Sequence, residues 1–229
     1  MDICFFSTGT WNPKKEKDID VEQIEEVFKV NFFGTVNSIK AVEEHFKNKY
    51  KNIKICFFST GTWNPKKEKD IDVDQIEDVF KVNFFGTVNT IKTVEKYFKD
   101  KQSGIITIVS SIAGYRGLPN STGYGPSKSA LNNLAESLYF DFKRSNVRIC
   151  LVSPGFIKTP MTDKNDFKMP FLKTPEYAAN KIYDGLINKK VFEIHFPKEL
   201  TLTLKLLSFL PSKLYFSLVG KLTKYQKKN

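Results

Sequence analysis

The chain has 229 residues, 41% of them hydrophobic, so its length supports one ordinary core and one domain is the expectation. Its net charge of +11 comes from 36 basic residues, all lysines except Arg116, Arg144 and Arg148. Because readers of bases and phosphates favour the planar arginine fork, and the lysines are spread along the whole chain, no nucleic-acid partner is expected.

Cysteine usage and the N-terminus indicate a reducing compartment. Cys4, Cys56 and Cys150 each lie in an apolar run, and an odd number of cysteines on strands is typical of inert core thiols rather than disulfides. Met1-Asp2 precedes a short run that soon turns polar, so no signal peptide is predicted. No stretch of about 20 apolar residues exists, so no membrane-spanning helix is expected. These features predict a cytoplasmic protein.

The N-terminal half contains one segment twice. Residues 3–49 recur at 55–101, with 40 of 47 positions identical. Each copy begins with a short β-type run, continues through a turn-rich piece and ends in an amphipathic helix, predicted to start near Val21 in the first copy and Val73 in the second. Most of the seven differences are three or four residues apart, which places them on one solvent-facing side of the helix.

Strands and helices alternate along the rest of the chain. The predicted elements are a strand over 104–109, a helix over 123–143, a strand over 147–152, a helix from Thr174 to about Asn188, and a strand over 191–196. Apolar strands that alternate with helices are typical of an α/β fold with a doubly wound parallel sheet of the Rossmann-like type.

Tyr124 and Lys128 are one turn apart on the predicted helix, so both side chains lie on one of its faces. An ammonium beside a phenol favours the phenolate and lowers the tyrosine pKa, which allows proton exchange near neutral pH. The spacing alone has little value, because three further pairs share it and a solvent-facing contact explains them equally well. These pairs are Tyr50 with Lys54, Tyr97 with Lys101, and Tyr177 with Lys181.

The surroundings of Tyr124 separate it from the other pairs. Ser111 follows a buried strand, and the carboxyl ends of strands are where open α/β sheets build their sites. The next predicted strand ends in Pro154-Gly155, with Thr159 four residues further on. Asn83 interrupts an apolar helix stripe, where an amide without a partner would be costly. A structural asparagine that bends the helix would look the same, and its counterpart Asn31 is interpreted as a passenger.

Taken together, these motifs resemble the short-chain dehydrogenase/reductase family. The resemblance covers about residues 53–196, and its motifs are Val82-Asn83-Phe84-Phe85-Gly86, Ser111-x-x-Gly114, Tyr124-x-x-x-Lys128 and Pro154-Gly155-x-x-x-Thr159. It implies hydride transfer between NAD or NADP and a small-molecule carbonyl or alcohol, with no metal. The implied catalytic residues are Asn83, Ser111, Tyr124 and Lys128. The implied cofactor-binding residues are Tyr124, Lys128, Pro154, Gly155, Ile157 and Thr159.

The resemblance also implies individual roles. Tyr124 would be the general acid/base, and Ser111 would hold the substrate oxygen. Lys128 would bind the nicotinamide ribose, and Asn83 would position a water against it. Thr159 and the Pro-Gly backbone would hold the nicotinamide carboxamide.

The family's N-terminal phosphate-binding turn, Gly-x-x-x-Gly-x-Gly, is absent from the sequence. The first copy stands in its place, so the sheet is expected to be incomplete at its N-terminal half and the chain N-terminally truncated. A right-handed crossover would put the strand of copy one beside that of copy two. The missing helices would leave apolar strand surface exposed, so a homo-oligomer is expected. The predicted divisions are a duplicated segment over 1–52, a catalytic core over 53–196 and a basic amphipathic tail over 197–229.

Two segments near the C-terminus have alternative interpretations. Residues 161–172 combine aromatic residues and methionines with charges, which suits either a mobile lid over an apolar substrate or a surface loop anchored by its aromatic residues. The tail carries seven lysines and one glutamate around two apolar-striped segments. Such helices suit a peripheral membrane contact, a subunit contact or a cover over the substrate cleft.

Two functions follow from these observations. The first is an NAD(P)-dependent oxidoreductase of the short-chain type. The second is a non-catalytic truncated remnant that at most oligomerises or associates with a membrane. The intact Ser111, Tyr124, Lys128 and Asn83 favour the first, and the missing glycine-rich turn favours the second.

Overall fold

The computed structural model describes residues 2–6, 53–63, 71–159 and 161–223. Its strands are β1 (Asp2–Phe6), β2 (Ile53–Phe58), β3 (Gly104–Val109), β4 (Val147–Pro154) and β5 (Glu193–Phe196). Its α-helices are α1 (Val73–Phe80), α2 (Gly86–Lys101), α3 (Tyr124–Lys143), α4 (Pro175–Tyr183), α5 (Lys198–Ser208) and α6 (Ser212–Leu222). The helix predicted near Val21 and the counterpart Asn31 lie outside the described residues.

The five described strands form one parallel sheet in the order β1-β2-β3-β4-β5. The strand of copy one pairs with the strand of copy two, as expected, and equivalent residues face each other, with Cys4 opposite Cys56. The strand order follows the chain order, so the described strands contain no reversal of the kind that opens a ligand crevice in a doubly wound sheet.

Helices cover both faces of the sheet, which confirms the predicted α/β class. On one face α2 and α3 pack against β2, β3 and β4 through buried residues that include Phe98, Leu131 and Phe142. On the other face α4 and the turn after it pack through Leu186. The expectation of exposed apolar strand surface on this second face is wrong for Ile55 and Phe57, which are 1% and 9% exposed.

The helix of copy two starts at Val73, as predicted, with the Asp72 side chain accepting a hydrogen bond from Gln75 N. It is not one regular α-helix, because Lys81–Phe85 form a π-helical turn between α1 and α2. Val73 is 62% exposed rather than part of the buried stripe. Of the copy-two positions that differ from copy one, Thr90 is buried, and the others are exposed or partly exposed.

Two of the described cysteines, Cys56 and Cys150, are buried core thiols, as expected. Both are 0% exposed, and burial raises the pKa of the Cys150 thiol to about 12. None of the described helices combines the length and the hydrophobicity needed to cross a bilayer.

Candidate active site

The loops that follow three neighbouring parallel strands meet at one edge of the sheet. These loops are 59–63 after β2, 110–115 after β3 and 155–159 after β4. Helix α3 begins at Tyr124 beside the second loop, since a Cβ added at Gly125 would lie 3.4 Å from the carbonyl oxygen of Ala113. The carboxyl edge of the sheet therefore carries the predicted site.

Lys128 lies in the interior of this edge. Its side chain is 3% exposed, and Nζ donates to the carbonyl oxygens of Val109 at 3.1 Å and Thr60 at 3.4 Å. Burial lowers the pKa of the Lys128 ammonium from 10.5 to about 8. Nζ is 5.6 Å from the centre of the Tyr124 ring, so the two side chains lie together as the spacing predicted.

Burial distinguishes this pair from the others with the same spacing. Lys101 donates to the Tyr97 hydroxyl at 3.1 Å from a partly exposed position on α2. Lys181 is exposed and lies 5.4 Å from the centre of the Tyr177 ring. Both are helix-surface contacts, as expected, and the side chains of the Tyr50 pair lie outside the described residues.

The segment that contains Ser111 packs directly on α3. Ser110 Oγ donates to the carbonyl oxygen of Lys128 at 2.9 Å, and a Cβ added at Gly114 would lie only 2.8 Å from that same oxygen. Ser111 Oγ accepts a hydrogen bond from Ala113 N at 3.2 Å, where it caps the short 3-10 helix Ile112–Gly114. This bond does not use the hydroxyl hydrogen of Ser111, which remains available as a donor.

Asn83, in the π-helical turn, connects the 59–63 loop to α3 through hydrogen bonds. Its fully buried side chain accepts from Thr62 N at 2.7 Å and donates to Thr62 O at 3.2 Å and to Ser127 Oγ at 3.0 Å. Gly61 lies between Asn83 and Lys128. A Cβ added at Gly61 would be 3.4 Å from Lys128 Nζ and 3.9 Å from Asn83 Oδ1. The oxygen and the nitrogen of the Asn83 amide thus both have protein partners. The role of Asn83 in positioning a water against Lys128 stays a prediction.

Aromatic rings connect the first and third loops in front of Tyr124. The Trp63 ring lies 5.6 Å from the Tyr124 ring and 6.2 Å from that of Phe167, and Phe167 lies 5.9 Å from Phe156. Phe167 belongs to the segment that was predicted to be a lid or an anchored loop. Its contacts give the site an apolar wall, although its side chain remains 45% exposed.

The predicted nicotinamide loop begins where β4 ends. Gly155 N donates to the carbonyl oxygen of Phe196 at 2.7 Å, which holds Pro154-Gly155 against β5. Ile157 pairs with Lys173 in an isolated parallel bridge. Thr159 Oγ1 is 3.2 Å from Thr162 Oγ1, so its hydroxyl takes part in the following turn.

Three residues of the site were not anticipated from the sequence. Trp63 supplies the ring next to Tyr124, Ser127 receives the Asn83 amide, and Ser110 fixes the strand end to α3. Ser110 stands beside Ser111, and Trp63 occurs in the repeated Thr-Gly-Thr-Trp sequence, but neither position identifies its partner, since each contact joins residues far apart in the chain.

Comparison with known proteins identifies relatives of the chain. A family model described as short chain dehydrogenase matches residues 37–169, more than half of the chain. An uncharacterized oxidoreductase of Myxococcus xanthus is 30% identical over 155 residues, which cover 68% of this chain and 60% of the relative. Epidermal retinol dehydrogenase 2 of Homo sapiens is 30% identical over 179 residues, which cover 75% of this chain and 57% of the relative.

The chain therefore spans about 60% of the length of these two curated relatives. Among solved structures, a short chain dehydrogenase from Burkholderia cenocepacia in complex with NADP superimposes with a TM-score of 0.67. The likeness covers 79% of this chain and 74% of that structure at 19% sequence identity, so it concerns the fold.

Proposed function

The chain belongs to the short-chain dehydrogenase/reductase family, and from this premise we propose that it is an NAD(P)-dependent oxidoreductase that interconverts a carbonyl and an alcohol. The observation that carries the proposal is the buried Lys128 ammonium, 5.6 Å from the Tyr124 ring at the carboxyl edge of the sheet. A buried lysine is costly unless its charge is used, and strongly perturbed groups in such places are candidates for function.

The residues at this edge fit the nicotinamide end of NAD or NADP. Lys128 supplies a buried ammonium for ribose hydroxyls, and the backbone of Pro154, Gly155 and Ile157, with Thr159, borders the same edge. The nicotinamide, when bound, supplies or accepts the hydride. The sequence contains no Gly-x-x-x-Gly-x-Gly turn for the pyrophosphate, so we assign no residues to the pyrophosphate end of the cofactor.

The chain's own residues would hold the substrate oxygen and move one proton. Ser111 Oγ keeps its hydrogen for the substrate oxygen, because its bond to Ala113 N uses it as an acceptor. In the direction of reduction Tyr124 would donate its phenolic proton to the same oxygen, and the Lys128 ammonium would stabilise the phenolate that remains. Asn83 acts as a positioning residue, because it binds both the 59–63 loop and α3.

The site favours an apolar substrate. The rings of Trp63, Phe156 and Phe167 form a wall next to Tyr124, where they would contact carbon rather than charge. The name of one relative, Epidermal retinol dehydrogenase 2, refers to an alcohol of this character. We extend this class, a small apolar carbonyl or alcohol, to the present chain.

We also propose that the chain is a homo-oligomer. A groove of about 500 Å³ runs along α3 beside Phe84 and Leu134, and the rings of Phe85 and Phe140 are 52% and 70% exposed. Burying such surface against a second copy would be favourable. Light scattering behind a sizing column measures the mass, and a monomer at every concentration would contradict the proposal.

The experiment that tests the catalytic proposal compares the wild-type chain with Tyr124→Phe. Both are supplied with NADPH and a panel of apolar ketones, and the fall in NADPH absorbance is followed. We expect turnover that Tyr124→Phe lowers by at least about a hundredfold, the usual contribution of general acid catalysis. Tyr177→Phe, a change at the surface pair, is the matched control. If no turnover depended on Tyr124, the catalytic proposal would be contradicted, and the alternative of a non-catalytic remnant would stand.

A further inference from the structure

The C-terminal helices α5 and α6 present two apolar stripes away from the protein. The exposed side chains of α5 and its end are Leu202, Leu206 and Phe209, at 50%, 70% and 86% exposure. Those on one side of α6 are Leu214, Leu218 and Leu222, at 55%, 40% and 71%. Each set repeats at intervals of three or four residues, so it forms one row along its helix. We call these six residues, together with Phe216, the apolar tail surface.

The opposite sides of α5 and α6 pack against the rest of the protein, so the apolar tail surface belongs to helices that are held in place. Tyr215 and Thr201 are 2% and 0% exposed. Tyr215 Oη donates to the carbonyl oxygen of Gly117 at 2.8 Å, and Thr201 Oγ1 is 2.7 Å from His195 Nδ1. Lys205 pairs with Glu193 on β5. The two helices thus have a defined orientation that keeps the leucine rows outside.

Arg116 fixes the turn between the two helices. Its guanidinium donates to the carbonyl oxygens of Ser208 at 2.9 Å and Leu210 at 2.7 Å, and it lies 4.0 Å from the centre of the Tyr215 ring. Phe209, the most exposed apolar residue of the tail surface, is held between the two bonded carbonyls. A rigid turn that holds a phenylalanine ring in water is costly unless the ring is buried in a partner.

The charge around this surface is positive. Lys213 and Lys221 are exposed on α6, next to the row of Leu214, Leu218 and Leu222. From Pro197 to the end the sequence contains seven lysines against Glu199 alone, a balance of +6. Leucine and phenylalanine rows bordered by lysines complement a bilayer surface that carries anionic lipids, where the rings enter the acyl boundary and the ammonium groups contact phosphates.

We propose that the apolar tail surface docks the protein on an anionic membrane. The same helices rest on the loops of the candidate active site, since a Cβ added at Gly155 would lie 3.1 Å from Leu200 Cδ2 and Arg116 follows the Ser111 segment. Docking therefore brings the carboxyl edge of the sheet close to the lipid. The proposal does not depend on the oxidoreductase activity, because it rests on α5 and α6 alone.

Flotation of the full chain with vesicles tests it. Vesicles of phosphatidylcholine alone are compared with vesicles in which about a third of the lipid is phosphatidylserine. We expect binding at least about tenfold stronger to the anionic vesicles, and weaker in high salt. The double variant Leu206→Ser/Phe209→Ser is expected to lose about a hundredfold or more of its partitioning, given the area of the two side chains. Lys213→Glu/Lys221→Glu is expected to lose the preference for phosphatidylserine.

Tyr183→Ser, which removes a 57% exposed ring from α4, is the matched control and should float like the wild type. Thermal melts check that the variants remain folded, which is expected because Leu206 and Phe209 are on the surface. Equal flotation of wild type and the Leu206→Ser/Phe209→Ser variant would overturn the proposal, and so would no flotation. A dimer in solution that this variant abolishes would also overturn it, because the occupant would then be a second copy of the chain.

Discussion

Gly114→Ala tests the contact on which the proposed active site depends. A Cβ at this position would lie 2.8 Å from the carbonyl carbon and oxygen of Lys128 and 2.9 Å from Asn132 Nδ2. Carbon contacts are normally about 3.5–4.0 Å, so the Ser111 segment and α3 would have to separate by roughly 0.7 Å or more. The two Lys128 atoms belong to the backbone of α3, which cannot rotate away as a side chain can. We expect the overpacking to lower the free energy of unfolding by about 1–3 kcal/mol.

The same shift would change the reaction, because it moves Ser111 relative to Tyr124. A displacement approaching 1 Å in a catalytic site can cost up to about a hundredfold in rate, so kcat/KM is expected to fall by roughly tenfold to a hundredfold. The assays are urea unfolding followed by tryptophan fluorescence, and reduction of the best ketone from the panel.

Gly117→Ala is the matched control, since it lies three residues further on and an added Cβ there meets no atom within 4 Å. It is expected to change stability by less than about 0.5 kcal/mol. If Gly114→Ala unfolded at the same urea concentration as Gly117→Ala with unchanged kcat/KM, the close packing of the Ser111 segment on α3 would be refuted.

Three further predictions concern the same edge of the sheet. Asn83→Ala removes three hydrogen bonds to Thr62 and Ser127 and should cost about 3 kcal/mol of unfolding free energy, whereas Asn89→Ala, at an exposed position of α2, should cost less than about 0.5 kcal/mol; equal losses in urea titrations would contradict this. Because the folded-state pKa of Lys128 is about 8, below its ordinary 10.5, the unfolded state binds more protons between these values and stability rises with pH. From pH 7 to 9 the wild type should gain about 1 kcal/mol more than Lys128→Met, and parallel pH profiles would disprove it. NADPH should bind more weakly than micromolar, because the glycine-rich phosphate turn is absent, and calorimetry that gives a submicromolar Kd would refute this.

The sequence alone determined the elements and most candidates for chemistry. Apolar runs predicted β3, β4 and β5 to within about two residues, and the helix predicted over 123–143 matches α3 to within one residue, because local patterns depend on neighbours in the chain. The one-turn spacing of Tyr124 and Lys128 likewise required their proximity.

Only the tertiary structure decided which of several similar pairs is buried. Lys128 and Lys101 follow a tyrosine at the same distance, yet Lys128 is enclosed by the carbonyls of Val109, at the end of β3, and Thr60, in the loop after β2. The π-helical turn around Asn83, the Trp63 ring beside Tyr124 and the attachment of the tail by Arg116 also depend on residues far apart in the chain. Periodicity carries no information about such contacts, because they are set by how the elements pack rather than by how each one forms.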